Sequence, residues 1–311
     1  MSIPQQLLPR FRPRPEHRPV ATRAPAGPSL RLRWLGTAGH VVATPDTTVL
    51  IDPFLSRPGL RQLLRPLTPD VAAIERWVPA RVDAILVGHS HYDHLLDAPA
   101  IAIARAAKLV GSATTAAVGA AAGVPSDRIE VIPSAGRSLR VGDLEISFVP
   151  SLHGRIFLGR VPFPGELTDT PALPLRAPQY RMGGAYGILI RAGERTLYHN
   201  GSADLVDAEI AGRHADVVLA GLAGRKATRD YLTRLTSGLG PRVLVPTHHD
   251  AFFGPLELGE RLLPGIDLHG FFREARAAAP DARIVTPLYH DNIVIPLEGD
   301  PRDLMVVESA T

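Results

Sequence analysis

The apolar run Ala84-Ile85-Leu86-Val87-Gly88 passes directly into His89-Ser90-His91-Tyr92-Asp93-His94. A run of that length reads as a buried strand, and Gly88 lets the chain leave it sharply. Any fold must therefore end a buried strand in a polar tip, held by a rigid sheet and reachable by solvent. Three imidazoles and a carboxylate are donors that Zn²⁺, Mn²⁺ or Fe²⁺ accept, so the tip reads as a metal site. The chain has no cysteine, which excludes disulfides, thiolate metal sites and a thiol nucleophile. Any metal must be held by histidines and carboxylates.

Around this strand the pattern alternates strands and helices from Ser29 onward. Leu30 to Leu35 has the period of two expected of a strand, with a turn at Gly36 and Gly39, and Thr48-Val49-Leu50-Ile51 runs into Asp52-Pro53. Ala98 to Ala107 reads as a helix, Leu109-Val110 as a short strand, and Thr114 to Ala122 as a second helix ending at Gly123. Leu139 to Val149 forms a hairpin around Gly142-Asp143, and Tyr186 to Ile190 pairs with Thr196 to Tyr198 around Gly193-Glu194. Val217-Val218-Leu219 and Val243-Leu244-Val245 are buried strands separated by a helix from Arg229 to Leu239. The expectation is one α/β domain over residues 29–311, of mixed sheets with outer helices.

Ligand-type residues recur at the ends of these strands. His153 follows Ile146 to Pro150, Asp204 follows the strand at Tyr198, and His248 follows Val243 to Val245. Strand termini on one edge of a sheet converge, so residues far apart in sequence can close one coordination sphere.

Residues 1–28 differ from the rest. They hold seven prolines, which forbid a helix or a central strand, and five arginines against Glu16, a net of +4. The whole chain is +3, so the remaining residues come to −1. This leader is expected to be solvated and mostly disordered. It lacks the apolar segment of a targeting signal, and no run approaches the roughly 20 apolar residues needed to span a bilayer. A cytoplasmic protein without a membrane span is expected.

Leu35-Gly36-Thr37-Ala38-Gly39, Leu50-Ile51-Asp52-Pro53, the His89–His94 cluster, His153, the Gly201–Asp204 turn and His248 together resemble the metallo-β-lactamase-fold hydrolase superfamily over roughly residues 29 to 297. The cluster matches the HxHxDH pattern at every ligand position. The resemblance implies an αββα sandwich with a two-metal site at one edge. It implies that His89, His91 and His153 bind the first metal and Asp93, His94 and His248 the second. Asp52 would orient the ligands by hydrogen bonding. The superfamily's bridging Asp falls where this chain has Ser202; Asp204, two residues on, is the candidate replacement, and without it the second metal would have fewer ligands.

The implied chemistry is hydrolysis, with a metal-bound hydroxide attacking a small ester, lactone or phosphodiester, Asp93 as base and His248 beside it. Redox relatives in the superfamily generally carry Glu at the position of His91, which favours hydrolysis here. Two zinc ions are the expected cofactors, with Mn²⁺ or Fe²⁺ open. Residues 155–182 form a long loop with Arg155, Arg160, Arg176 and Arg181 against Glu166 and Asp169, plus Phe157, Phe163 and Tyr180, as a lid over an anionic or partly apolar small molecule would. His249, Asp250, Phe252 and Phe253 are further candidates for the pocket wall. The alternatives are a nuclease using the arginine-rich leader, set against by a nearly neutral body, and a non-catalytic binding protein of the same fold.

Overall fold

The computed structural model describes residues 8–21, 27–156, 159–289 and 291–308. The first sheet takes β1 (Ser29–Trp34), β2 (His40–Ala43), β3 (Thr48–Ile51), β4 (Ala84–Leu86), β5 (Lys108–Gly111) and β6 (Ile129–Val131) in chain order. The second takes β7 (Arg137–Val141), β8 (Leu144–Pro150), β9 (Tyr186–Ala192), β10 (Arg195–Asn200), β11 (Val217–Gly221), β12 (Val243–Thr247) and β13 (Arg283–Ile284). The chain then returns to the first sheet, where β14 (Asp291–Pro296) pairs with β1 and β15 (Met305–Glu308) lies outside it. Strands β3, β4, β5 and β6 run parallel, as do β10, β11, β12 and β13.

Parallel strands are usually covered on both faces, and their side chains show how. Ile51, Leu86, Val110, Leu197, Leu219 and Val245 meet in one core between the two sheets. The alternate residues Leu50, Ile85 and Leu109 face a second core with Ile74, Trp77, Ile101 and Val118. Tyr198, Val218 and Leu244 face a third core with Leu232, Leu235, Phe271 and Ala275. The helices that supply those partners are α1 (Val71–Trp77), α3 (Ala98–Ala104), α4 (Ala113–Ala121), α6 (Tyr231–Leu239) and α7 (Leu268–Ala278); two single turns, α2 (Tyr92–Leu95) and α5 (Asp207–Ile210), complete the set. Three cores between four layers make an αββα sandwich.

The helix starts are capped by the residue types that favour them. Asp70 accepts from the Ala73 amide, Ser112 from that of Thr115 and Asp267 from that of Gly270. No helix among the described residues is long and apolar enough to cross a membrane.

The expectation of a solvated leader does not hold for its described part. Phe11 and His17 are buried, Arg18 holds Asp291 through two guanidinium bonds, and Pro19 and Ala21 hydrogen-bond Val306 along the open edge of β15. Proline bars this stretch from a helix but not from lying extended along a sheet edge, where one missing donor costs little. An edge strand covered in this way is also closed to other chains. Residues 1–7 and 22–26 of the leader lie outside the described residues.

Candidate metal centre

The centre lies where strands of both sheets end. Asp52 follows β3, the His89–His94 cluster follows β4, His153 follows β8, Ser202 follows β10 and His248 follows β12. One ligand atom from each of His89, His91 and His153 lies within 4.8 Å of the others, and Asp93, His94 and His248 form a second such group. All six residues are buried, His153 and Asp93 the least so. His89 joins the two groups, its ring lying 3.7 Å from that of His94 and 4.7 Å from that of His153, centre to centre.

Local geometry aims the nitrogens inward. His153 Nδ1 lies 2.7 Å from the carbonyl of Gly154, so it carries the proton and leaves Nε2 as the free donor atom. Nδ1 of His94 lies 2.9 Å from Asp52 Oδ2, which turns Nε2 toward Asp93 and His248. Asp52 Oδ1 also accepts from the Gly88 amide at 2.7 Å. A side chain at Gly88 would place its first carbon 3.1 Å from Asp52 Oδ2 and 3.2 Å from the carbonyl of Tyr186, so the carboxylate would have to give way by a few tenths of an ångström. Asp52 and His248 both stand at positive φ (43° and 53°), backbone strain of the kind that collects at functional sites.

The donor set fits a metal. Nε2 of His89, Nε2 of His91 and Nδ1 of His248 are buried without a hydrogen-bond partner. Buried polar atoms are nearly always satisfied, and leaving one unpaired costs about 1–3 kcal/mol. Ligation would answer the first two directly, and a nitrogen and oxygen set is what Zn²⁺, Mn²⁺ and Fe²⁺ accept.

Electrostatics keep the ligands in their binding forms. Burial, reinforced by neighbouring imidazoles, holds His89 well below the usual histidine range. Burial brings His91 down to about 4 and His153 to about 3. Burial alone would raise the Asp93 carboxyl, but His94 and His248 outweigh it and hold the group ionised. His94 goes the other way, because Asp52 and Asp93 more than offset burial.

These shifts set a pH dependence for the metal-stripped protein. Burial also depresses His40, and it brings His199 and His249 to about 4. Unfolded histidine titrates near ~6.5, so below that pH the unfolded chain takes up protons that six folded imidazoles refuse. Stability should therefore fall as pH drops from about 6.5 toward 4, each such group contributing up to about 1.4 kcal/mol per pH unit. Burial lowers His17 as well, and His94 opposes the trend with the reverse sign. The melting temperature of chelator-treated protein at pH 7.5, 6.5, 5.5 and 4.5 should drop stepwise; a flat profile would refute this account.

Asp204 is not brought to the centre. Its carboxylate accepts from the Leu205 amide at 2.9 Å and lies 3.6 Å from Arg234, and it belongs to neither ligand group. Ser202 Oγ accepts from the Gly154 amide at 2.8 Å and so ties down the loop that carries His153. His249 and Asp250 also depart from expectation, being fully buried behind His248 rather than lining a pocket. His249 stacks on Trp34 (ring centres 4.6 Å apart), and Asp250 pairs with Arg57. Phe252 does reach the centre, its ring 5.5 Å from that of His248.

The 155–182 segment covers the first ligand group. The ring of Phe163 stands edge-on to His91 at 6.1 Å, and Met182 and Gly183 accept or donate backbone bonds that link this loop to Ser90, Phe163 and Gly165. Leu167 N donates to Thr114 at the start of α4. Phe157 lies outside the described residues. Pattern reading missed the hydroxyl cluster of Ser90, Ser112 and Thr115, which underlies the loop, because serines and threonines carry no spacing signal.

Against known proteins, the family profile described as a beta-lactamase superfamily domain matches residues 47–249, well over half of the chain. The chain belongs to the metallo-β-lactamase superfamily. A UPF0173 metal-dependent hydrolase from Anaeromyxobacter dehalogenans is 32% identical over 229 residues, covering 70% of this chain and 74% of its own. That likeness places the chain among the superfamily's metal-dependent hydrolases. Among solved structures, Igni18, a metallo hydrolase from Ignicoccus hospitalis, superposes with a TM-score of 0.57 at 17% identity, covering 87% of this chain and all of its own. CmlA, a diiron β-hydroxylase from Streptomyces venezuelae, superposes with 0.53 at 16%, covering 88% of this chain and 54% of its own. At such identities the likeness speaks for the fold alone, and the fold hosts both hydrolytic and redox chemistry.

Proposed function

We propose that this protein hydrolyses a small ester, lactone or phosphodiester at a two-metal centre. His89, His91 and His153 would hold one ion, and Asp93, His94 and His248 the other, with zinc as the first choice. The observation that carries the reading is the pair of facing triads, in which Nε2 of both His89 and His91 is buried without a hydrogen-bond partner. Ions bound there would supply Lewis acidity and make a hydroxide nucleophile available near neutral pH. Asp93, kept ionised by His94 and His248, would accept a hydrogen bond from a reacting water and orient it. Phe163 and Phe252 stand beside His91 and His248 and keep the surroundings apolar, which strengthens every charge interaction within. Asp52 would hold the His94 ring from its Nδ1 side and leave Nε2 for the second ion.

A nuclease has less to recommend it. The leader that motivated that reading lies along the body over residues 8–21, with Arg18 committed to Asp291. A small substrate, anionic or partly apolar, fits the arginines and rings of the 155–182 loop.

The test is metal analysis of the purified full chain, with hydrolysis of a generic diester, an aryl ester and a simple lactone under Zn²⁺ or Mn²⁺. Two ions per chain and turnover of at least one substrate are expected. The Asp204→Ala variant should keep metal content and turnover within about twofold, as substitutions away from a site generally do. A protein that takes up no metal and cleaves none of these would sink the proposal.

A further inference from the structure

His248 sits in a left-handed backbone conformation that a histidine does not choose unaided, so something must hold it. Its amide donates to the carbonyl of Thr37 at 2.8 Å, and the hydroxyl of the preceding Thr247 donates to the same oxygen at 2.8 Å. Thr37 is itself at positive φ (52°), and its own amide donates to Asp250 Oδ1 at 2.8 Å. The other oxygen, Asp250 Oδ2, accepts from Arg57 Nη2 at 2.7 Å and from the Tyr289 hydroxyl at 2.7 Å. Arg57 Nη2 also reaches the carbonyl of Ala251 at 2.7 Å. The Arg57 and Asp250 side chains are fully buried.

One carboxylate thus grips both sides of the turn that presents His248. Arg57 is packed against Gly36, where any side chain would strike its guanidinium at 2.1 Å. The far side is closed by backbone: Ala251 and His249 bond to Arg261 and Leu263, and that strip bonds in turn to Pro9 and Phe11 of the leader. Phe11 then meets the ring of His249 edge-on at 5.4 Å. Among the described residues, the hydrogen bonds of Asp250, Arg57 and Tyr289 run to Thr37, Ala251, one another and Glu260, not to β4, α2 or the His153 loop.

We propose that Asp250, fixed by Arg57 and Tyr289, is a positioning residue for His248, and that this buried ion pair sets the metal affinity of the Asp93–His94–His248 half-site alone. Neither Asp250 nor Arg57 is a ligand; they act through the Thr37 turn. A buried pair is an expensive way to gain stability, and holding a strained ligand in one geometry gives it a purpose. The inference rests on the reading of the two triads as metal sites.

The experiment titrates the metal-stripped full chain with Zn²⁺, and with Co²⁺ to follow each site by its visible absorption. Wild type, Asp250→Asn and Tyr289→Phe are compared. Wild type should bind two ions. Tyr289→Phe, which loses a single hydroxyl, should weaken the second equivalent by about tenfold, the size of effect seen when a partner that orients a ligand is removed. Asp250→Asn should weaken it further or abolish it, and in both variants the first equivalent should keep its wild-type affinity. Two variants with an unchanged second equivalent would overturn the proposal, and so would an equal weakening of both sites, which marks a general structural role. If Asp250→Asn does not fold, Tyr289→Phe decides by the same criteria. A wild type that binds fewer than two ions overturns the two-site reading itself, and that result appears before any substitution is made.

Discussion

Replacing His91 by alanine is expected to remove one ion from the centre and reduce hydrolysis about 10³-fold or more. Three histidines form the first triad, and a three-nitrogen set has no spare donor to lose. A metal contributes several kcal/mol to stabilising developing charge, and each 1.36 kcal/mol is tenfold in rate, so losing roughly 4 kcal/mol gives about 10³. The variant should fold normally once the imidazole is gone. His91 Nε2 is one of the buried atoms without a partner, so deleting the ring removes an unsatisfied group, at the cost of the ring's bonding to the Pro162 and Phe163 backbone. The measurement is zinc content and kcat/KM together, with the melting temperature of the stripped protein as control. Wild-type turnover in a His91→Ala protein that has lost an ion would show that the first triad is not needed for the reaction.

The second large effect is expected at Asp52, which belongs to neither triad. The residue is fully buried, with Oδ1 on the Gly88 amide and Oδ2 on His94 Nδ1, so both oxygens face donors. In Asp52→Asn one oxygen becomes an NH₂ group, and whichever way the amide turns it sets a donor against a donor. A clash at Gly88 would disturb the strand exit that presents the whole cluster. A clash at His94 would free its ring and end the support for its charge. Metal affinity should fall 10–100-fold, as it does when such an outer partner is lost, and stability by about 1–3 kcal/mol for the unsatisfied donor. Metal titration and thermal unfolding would measure the two separately. An asparagine variant with wild-type affinity would mean that His94 is oriented by something other than Asp52.

Much of this was legible before any coordinates. The apolar run into His89–His94 announced a strand ending in ligands, and β4 does end there. The helix from Arg229 was legible because Tyr231, Leu232, Leu235 and Leu239 repeat at a helical period, and the hairpin at Gly142-Asp143 because a turn sits between two alternating runs. Helix α7 and strands β14 and β15 were not among the expected elements, although Leu268, Phe271, Phe272 and Ala275 do keep a helical spacing. The docking of residues 8–21 was not legible for a related reason. Its prolines forbid regular structure but say nothing about docking, and Phe11 is a single apolar residue whose partner, His249, lies far along the chain.

Local periodicity and residue chemistry thus determined that this chain builds a strand-edge metal site from histidines and carboxylates. Those properties are written in neighbours a few residues apart, where spacing translates directly into which face a side chain takes. Only the tertiary structure decided which of the outlying candidates serve it. Asp204 and Asp250 are both carboxylates a few residues beyond a strand end, and nothing in their local sequence separates them. Arg234 draws the first away from the centre, while Arg57 and Tyr289 bury the second behind His248. The partner of a charge is chosen by packing across the whole chain, and a sequence read locally does not contain that choice.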